Sequence, residues 1–81
     1  METIMGLKIT PRNIHAPEVQ NILTKHGCII KARMGFHEVS EDACSPNGLI
    51  ILHIQGKEDE IKELNSELAA IEGVTVKYMS L

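Results

Sequence analysis

The chain has 81 residues, of which 43% are hydrophobic, 23% are charged and only 2% are aromatic. This length predicts a single globular domain over residues 1–81, whose hydrophobic core alone is marginal, so self-association as a homo-oligomer is expected. The net charge of −3 argues against direct nucleic-acid binding through the phosphate backbone. The few aromatic residues also argue against a sheet that stacks RNA bases.

No membrane or secretion signal is visible in the residues. The start Met1-Glu2-Thr3 lacks a basic region followed by an apolar one, and the aliphatic run 49–52 is too short to span a bilayer. A cytoplasmic protein without membrane association is therefore expected. Cys28 and Cys44 form no Cys-x-x-Cys pair, so they are interpreted as free thiols.

The first half of the chain predicts a strand, a helix and a second strand. Residues 3–10 alternate apolar and polar side chains, which is typical of a strand. Pro17 suits the first turn of a helix and Gly27 suits its C-terminal end, so a helix is predicted between them. Residues 28–37 alternate again and predict the second strand. Its apolar positions are Ile30, Ala32, Met34 and Phe36.

The second half predicts a hairpin, a strand, a helix and a final strand. Residues 38–48 are rich in turn formers and lead into an aliphatic strand over 49–55. After Gly56, three acidic residues fit the first turn of a helix that ends before Gly73. Residues 74–79 alternate once more, so the predicted element order is βαββαβ.

This order predicts an α+β fold, the ferredoxin-like sandwich, with a four-stranded antiparallel sheet and both helices on one face. Ile30, Ala32 and Met34 are predicted to face the helices. The opposite, uncovered face is then expected to show a mixed set: Ile4, Lys8, Lys31, Arg33, Leu49, Ile51, His53, Met79 and Leu81. A half-apolar face on a small domain marks a subunit interface more often than a ligand site, and Leu49, Ile51 and Met79 are its predicted contacts.

Arg12 and Asn13 are candidate ligand-binding residues. They are predicted to lie just before the first helix, where free amides and the helix dipole favour a phosphate or carboxylate. The alternative is an ordinary solvated loop, because no glycine-rich cradle accompanies the pair. If the anion were a substrate, the chain would be a small phosphate or acyl-phosphate hydrolase that uses Arg12 and Asn13.

His37 and Cys44 are candidate metal ligands, because imidazole and thiolate groups suit zinc or nickel. His53 is a third group of the same kind. With Phe36 paired near Gly48, however, His53 is expected opposite Lys31, about 20 Å from His37 along the strand at ~3.4 Å per residue. A complete site would therefore need a neighbouring subunit, and the alternative is a polar hairpin with an unreactive thiol.

A family resemblance extends over nearly the whole chain. It is carried by Arg12-Asn13, Ala16-Pro17-Glu18-Val19-Gln20, Leu23, Gly27, Ile30, Arg33, Gly35, His37, Cys44-Ser45, Gly48-Leu49-Ile50 and Gly73-Val74-Thr75-Val76-Lys77. In these residues the chain resembles the small ACT-like proteins described as regulators of the iron-only hydrogenase system. The resemblance implies a ferredoxin-like homo-oligomer, similar in shape to the sensory domain of the nickel-responsive repressor, which uses His and Cys ligands across subunits.

The residues and the resemblance together predict a non-catalytic regulatory or interaction module. We expect an ACT-like homo-oligomer, a dimer or tetramer, that senses a small ligand or metal and passes the result to a partner protein. The hydrolase built on Arg12 and Asn13 is the alternative from another functional class, and loss of turnover in Arg12→Ala would distinguish it.

Overall fold

The computed structural model describes the backbone of residues 2–10, 12–39 and 44–81, and their side chains except those of 12–14, 37–39 and 44–47. The elements in chain order are β1 (Glu2–Ile9), α1 (Arg12–Lys25), a 3-10 turn (Gly27–Ile29), β2 (Ile30–Val39), β3 (Cys44–Gln55), α2 (Glu58–Ala69) and β4 (Val74–Ser80). Among the described residues, no helix is long and apolar enough to cross a membrane.

The four strands form one antiparallel sheet in the order β2-β3-β1-β4. The predicted ferredoxin-like βαββαβ sandwich is therefore confirmed. The two central strands are β3 and β1, and β2 and β4 lie at the edges. Each predicted strand and helix exists, although several of the ends differ by a few residues.

The core lies between the sheet and the two helices. Alternate residues of β1 and β3 point into it, as the two-residue period of a strand requires. Val19 and Leu23 of α1 and the apolar stripe of α2 cover them from one side. The buried apolar side chains are Met5, Leu7, Ile9, Val19, Leu23, Ile29, Leu52, Ile54, Ile61, Leu64 and Leu68.

A β-bulge near the start of β2 contradicts the predicted facing of that strand. Ile30 pairs with Ile54, but the next registered pair is Ala32 with His53, so Lys31 is an extra residue in the strand. One extra residue moves every following side chain to the other face of the sheet. Ala32 and Met34 therefore face away from the helices, and the prediction that they pack under the helices was wrong.

The bulge also places Arg33 on the helix side of the sheet. Its Nη2 atom donates a hydrogen bond to Oε1 of Gln20 in α1. The prediction that Arg33 belongs to the uncovered face was therefore also wrong. The same bulge accounts for both corrections.

The start of α1 also differs from the prediction. The helix begins at Arg12, and Pro17 lies inside it. A proline in a helix interior removes one backbone hydrogen bond, so it favours a first-turn position, and that preference led to the prediction of a later start. The true first turn contains no acidic residue that would have indicated it. Arg12 and Asn13 thus belong to the first turn of α1 and do not precede it.

The start of α2 agrees with the prediction because its first turn carries the expected charges. Glu58, Asp59 and Glu60 complement the positive end of the helix dipole. The backbone N–H of Lys57 donates a hydrogen bond of 2.9 Å to Oε1 of Glu60, which satisfies a donor at the helix start.

Candidate functional site

The sheet surface that faces away from the helices is covered by neither α1 nor α2, and we call it the open face. The strand registers arrange it in four rows across the sheet, in the order β2, β3, β1, β4. The rows are Phe36, Leu49, Lys8 and Thr75, then Met34, Ile51, Gly6 and Lys77, then Ala32, His53, Ile4 and Met79, and last Gln55 and Glu2 of β3 and β1.

The open face is strongly apolar. Met34 is 57% exposed, Phe36 52%, Leu49 44% and Met79 59%. Large apolar side chains that are half exposed and adjacent form a patch, and such patches on small proteins mark interaction surfaces. Leu49, Ile51 and Met79, the predicted interface residues, share this face.

Two shallow depressions flank Ile4 and Ile51 on the open face. The larger, about 340 Å³, lies over Gly6 and extends to Lys77 and Met79. It exists because Gly6 has no side chain between its larger neighbours. The smaller, about 100 Å³, extends toward β2 and is lined by Ala32, Met34 and His53 among others.

The charged groups of the open face separate toward its two ends. Lys8 lies at the end where β1 finishes and pairs in register with Leu49 and Thr75. Glu2 lies at the other end, where its Oε1 atom is 3.2 Å from Nε2 of His53. One end is therefore cationic and the other carries a carboxylate held by an imidazole.

The predicted metal ligands lie in β2 and β3, next to the connection between these two strands. His37 is in register with Gly48, and Cys44 is in register with Val39, so their backbones are both at the hairpin end of the sheet. Their side chains lie outside the described part of the structure. Within that part, no three His, Cys, Asp or Glu side chains are close enough to hold a metal ion.

His53 is not brought to the hairpin end. It is in register with Ala32, one residue from the predicted partner Lys31. Five residues of β2 separate Ala32 from His37, which is about 17 Å at ~3.4 Å per residue. His53 and His37 therefore cannot bind the same metal ion within one subunit.

Arg12 and Asn13 are the first two residues of α1. Their side chains also lie outside the description. The backbone places them at the N-terminal end of the helix, where the first amide groups have no partner within the helix.

A charged cluster at the C-terminal ends of the helices was not predicted from the sequence. Glu67 of α2 accepts a hydrogen bond of 2.7 Å from Nζ of Lys25, and its second oxygen contacts Nε2 of His26. The hydrogen bond from Lys25, followed by the one from His26, lowers the pKa of Glu67. The pairing spans about 40 residues, so local patterns do not reveal it.

A third depression, about 320 Å³, lies between the end of α1 and the start of β2. Its lining is partly aliphatic, from Leu23, Ile30 and Ala32, and partly cationic, from Lys31 and Arg33. Arg33 is already bonded to Gln20, and the adjacent helix end carries the negative pole of the dipole. This depression is therefore poorly suited to a small anion.

Solved structures with the same fold support the topology. Uncharacterized protein TM1266 from Thermotoga maritima superposes with a TM-score of 0.85 at 24% identity, over 99% of this chain and 95% of that chain. The ACT domain from GTP pyrophosphokinase of Chlorobium tepidum gives 0.62 at 15% identity, over 100% and 88%. CPII, a nitrogen regulatory PII-like protein from Thiomonas intermedia K12, gives 0.60 at 14% identity, over 99% and 91%.

No curated protein matches the chain. A family model does match, over residues 3–78, and its description is "TM1266-like: Iron-only hydrogenase system regulator, putative". The match extends from β1 to β4 and includes both helices. The chain therefore belongs to the TM1266-like family of iron-only hydrogenase system regulators.

Proposed function

We propose that this chain is a non-catalytic regulatory module that works as a homo-oligomer, a dimer or tetramer, with its open face packed against a second copy. In this proposal the module senses a small ligand or a metal and passes the result to a partner protein. The observation that carries the proposal is the contiguous apolar surface of the open face, with Met34, Phe36, Leu49 and Met79 half exposed.

Burial of the open face is favourable for a simple reason. Removing apolar surface from water contributes about 25 cal/mol per Å², and a flat sheet face of this kind otherwise promotes aggregation. An 81-residue domain also has a marginal core of its own. A second copy buries further apolar surface, because in a two-fold interface the same open face is used by both copies.

A regulatory role is supported by the family description and by the fold. One protein of similar fold, CPII, is described as bound to ADP, AMP and bicarbonate, so the fold is able to carry a ligand site. At 14% identity this likeness concerns the fold alone. The ligand of the present chain must be argued from its own residues.

For the metal branch of the proposal, His37 and Cys44 are the ligands that we expect to hold zinc or nickel. An imidazole and a thiolate together fit a borderline metal ion. Two ligands do not complete a tetrahedral site, so we propose that water, hairpin acids or a residue of a second copy complete it.

The hydrolase alternative is tested directly. If Arg12 and Asn13 bound a phosphate or acyl-phosphate substrate, the protein would turn it over and Arg12→Ala would abolish that turnover. The regulatory proposal expects no turnover in either protein. The family description favours the regulatory role.

The homo-oligomer is tested by placing a charge in the middle of the open face. We expect Ile51→Glu to reduce the mass measured by analytical ultracentrifugation, from two chains to one for a dimer and from four chains to two for a tetramer, because a buried unpaired carboxylate is costly. Asn21→Glu adds the same charge at an exposed position of α1 and is the matched control. Circular dichroism checks that both variants are folded.

Met79→Glu is a second variant of the same design at an exposed position, where folding is not at risk. If folded Ile51→Glu and Met79→Glu proteins both kept the mass of the unmodified protein, the open face would not be the interface. The proposal would then be wrong.

A further inference from the structure

We infer that two copies pack open face to open face with their β1 strands antiparallel, so that Lys8 of each copy pairs with Glu2 of the other. This inference rests on the proposed function, because it specifies how the second copy lies on the open face. It is carried by the distribution of charge and of side-chain size over the rows of the face.

Two symmetric orientations keep the strands aligned when a sheet face packs against its own copy. A two-fold axis parallel to the strands sets each row against the same row of the second copy. The second axis is perpendicular to the strands and lies in the plane between the two sheets. It sets the Lys8 end of each open face against the Glu2 end of the other. These two axes give the aligned packing that is usual for stacked sheets.

Charge favours the perpendicular axis. With the axis parallel to the strands, Lys8 and Lys77 of both copies gather at one end, and like charges across an interface are unfavourable. With the perpendicular axis above Met5, the midpoint of Glu2 and Lys8, each Lys8 lies opposite a Glu2. The carboxylate of Glu2 already contacts the imidazole of His53 at 3.2 Å. Glu2 therefore loses less side-chain conformational entropy when it pairs with Lys8 of the second copy.

Side-chain size favours the same axis. It exchanges the two inner rows, so that Ile4 of one copy lies over Gly6 of the other, and Met34 lies over Ala32. In both cases a large side chain meets a small one, which is how stacked sheets interdigitate. The depression of about 340 Å³ over Gly6 is then the space that receives Ile4.

The extent of the face is sufficient for a stable dimer. Four strands at about 4.8 Å and eight residues at ~3.4 Å give a face of roughly 19 by 27 Å in projection. The accessible surface of the side chains is larger than this projected area. It is therefore of the order of the ~800 Å² that each partner buries in a standard interface.

The test is a charge reversal with rescue, measured as the dimer dissociation constant by analytical ultracentrifugation at low salt. We expect Lys8→Glu and Glu2→Lys each to weaken the dimer by about tenfold or more, because each places like charges together. The double variant restores the pair with its signs exchanged. It is expected to bind within about fivefold of the unmodified protein.

Lys62→Glu is the matched control, since it reverses a lysine charge on α2, on the far side of the molecule from the open face. It is expected to leave the dissociation constant unchanged. The orientation with the axis parallel to the strands predicts the opposite sign for the first variant, because the new carboxylates of Lys8→Glu would lie among the Lys77 side chains of both copies at that end, offset their positive charge and tighten the dimer.

The outcomes separate this inference from the proposed function. If Ile51→Glu splits the assembly while Lys8→Glu tightens it, leaves it unchanged, or is not rescued by Glu2→Lys, the antiparallel arrangement is wrong and the open face remains the interface. If Ile51→Glu and Met79→Glu do not split the assembly, the proposed interface and this inference are both overturned.

Discussion

Gly73 closes the turn between α2 and β4 in a conformation that few other residues adopt. Its φ angle is +84°, in the left-handed region. Its carbonyl accepts a hydrogen bond of 2.8 Å from the backbone N–H of Thr10, which ties this turn to the end of β1. A Cβ atom built on Gly73 would overlap the carbonyl of Thr10 and the ring of His15. Both the backbone angle and the available space therefore require glycine.

We expect Gly73→Ala to lower the free energy of unfolding by more than about 1 kcal/mol. A left-handed conformation alone costs an L-residue about 1–2 kcal/mol, and the overlap with Thr10 adds to it. Urea denaturation measures the change. Gly35→Ala is the matched control, because a Cβ there has no neighbour within 4 Å, and its effect should stay within about 0.5 kcal/mol. Equal stability of the two variants would contradict the close packing at Gly73.

The sequence predicted helix-ending glycines but not their contacts. Gly73 was expected to follow α2, and it does. That its neighbours are Thr10 and His15, about 60 residues earlier, depends on the tertiary fold. Likewise Val19, Leu23, Ile61, Leu64 and Leu68 are buried, and their spacing follows the helix period.

Strand β2 shows how one inserted residue interrupts the alternation of inward and outward side chains. The alternation from Ile30 to Phe36 is regular in sequence, but the bulge at Lys31 divides it between two faces. Period-two reasoning assumes an unbroken ladder, and no glycine or proline marks the break. The consequence for the candidate site is large, because Met34 and Phe36 join the open face and make it more apolar than predicted.

The ends of α1 and α2 are tied together by Glu67. The hydrogen bond from Lys25, and next that from His26, hold the pKa of the Glu67 carboxyl below its usual range. A carboxyl with a lowered pKa in the folded state contributes stability above its unfolded pKa. That contribution is lost as the pH falls through the folded pKa.

We therefore expect Glu67→Gln to lower the melting temperature at pH 7 and to have a smaller effect at pH 3. The unfolded carboxyl has a pKa of about 4.3, so the difference between the variant and the unmodified protein should shrink as the pH drops below that value. Scanning calorimetry at several pH values measures it. Glu72→Gln, at an exposed position, is the control for loss of one carboxylate. A difference of the same size at pH 3 would mean that the charge of Glu67 is not responsible.

The fold and the family followed from the sequence, whereas the assembled site did not. The βαββαβ order depends on local patterns that the chain carries clearly. A site shared between subunits depends on which surfaces meet, and that is decided by the summed shape and charge of a face. The register now shows that His53 and His37 are too far apart to act in one subunit.

The proposed binding of zinc or nickel concerns the hairpin end of the sheet. The register brings the backbones of His37 and Cys44 to this end, in adjacent strands. If both side chains bind zinc or nickel, binding must release a proton from the thiol and must weaken at acidic pH as the imidazole is protonated. It must also raise the melting temperature, since a metal that binds the folded state stabilises it by mass action.

Isothermal titration calorimetry with zinc and with nickel compares the unmodified protein with the His37→Ala, Cys44→Ser double variant. We expect the double variant to lose at least about 10-fold to 100-fold in affinity, since fewer ligands remain around the ion. A Cys28→Ser variant is the control for nonspecific thiol binding, because Cys28 is exposed and lies in the turn before β2. Equal, weak heats for all three proteins would mean that His37 and Cys44 are ordinary hairpin residues. The protein would then act as an interaction module that responds to a different ligand.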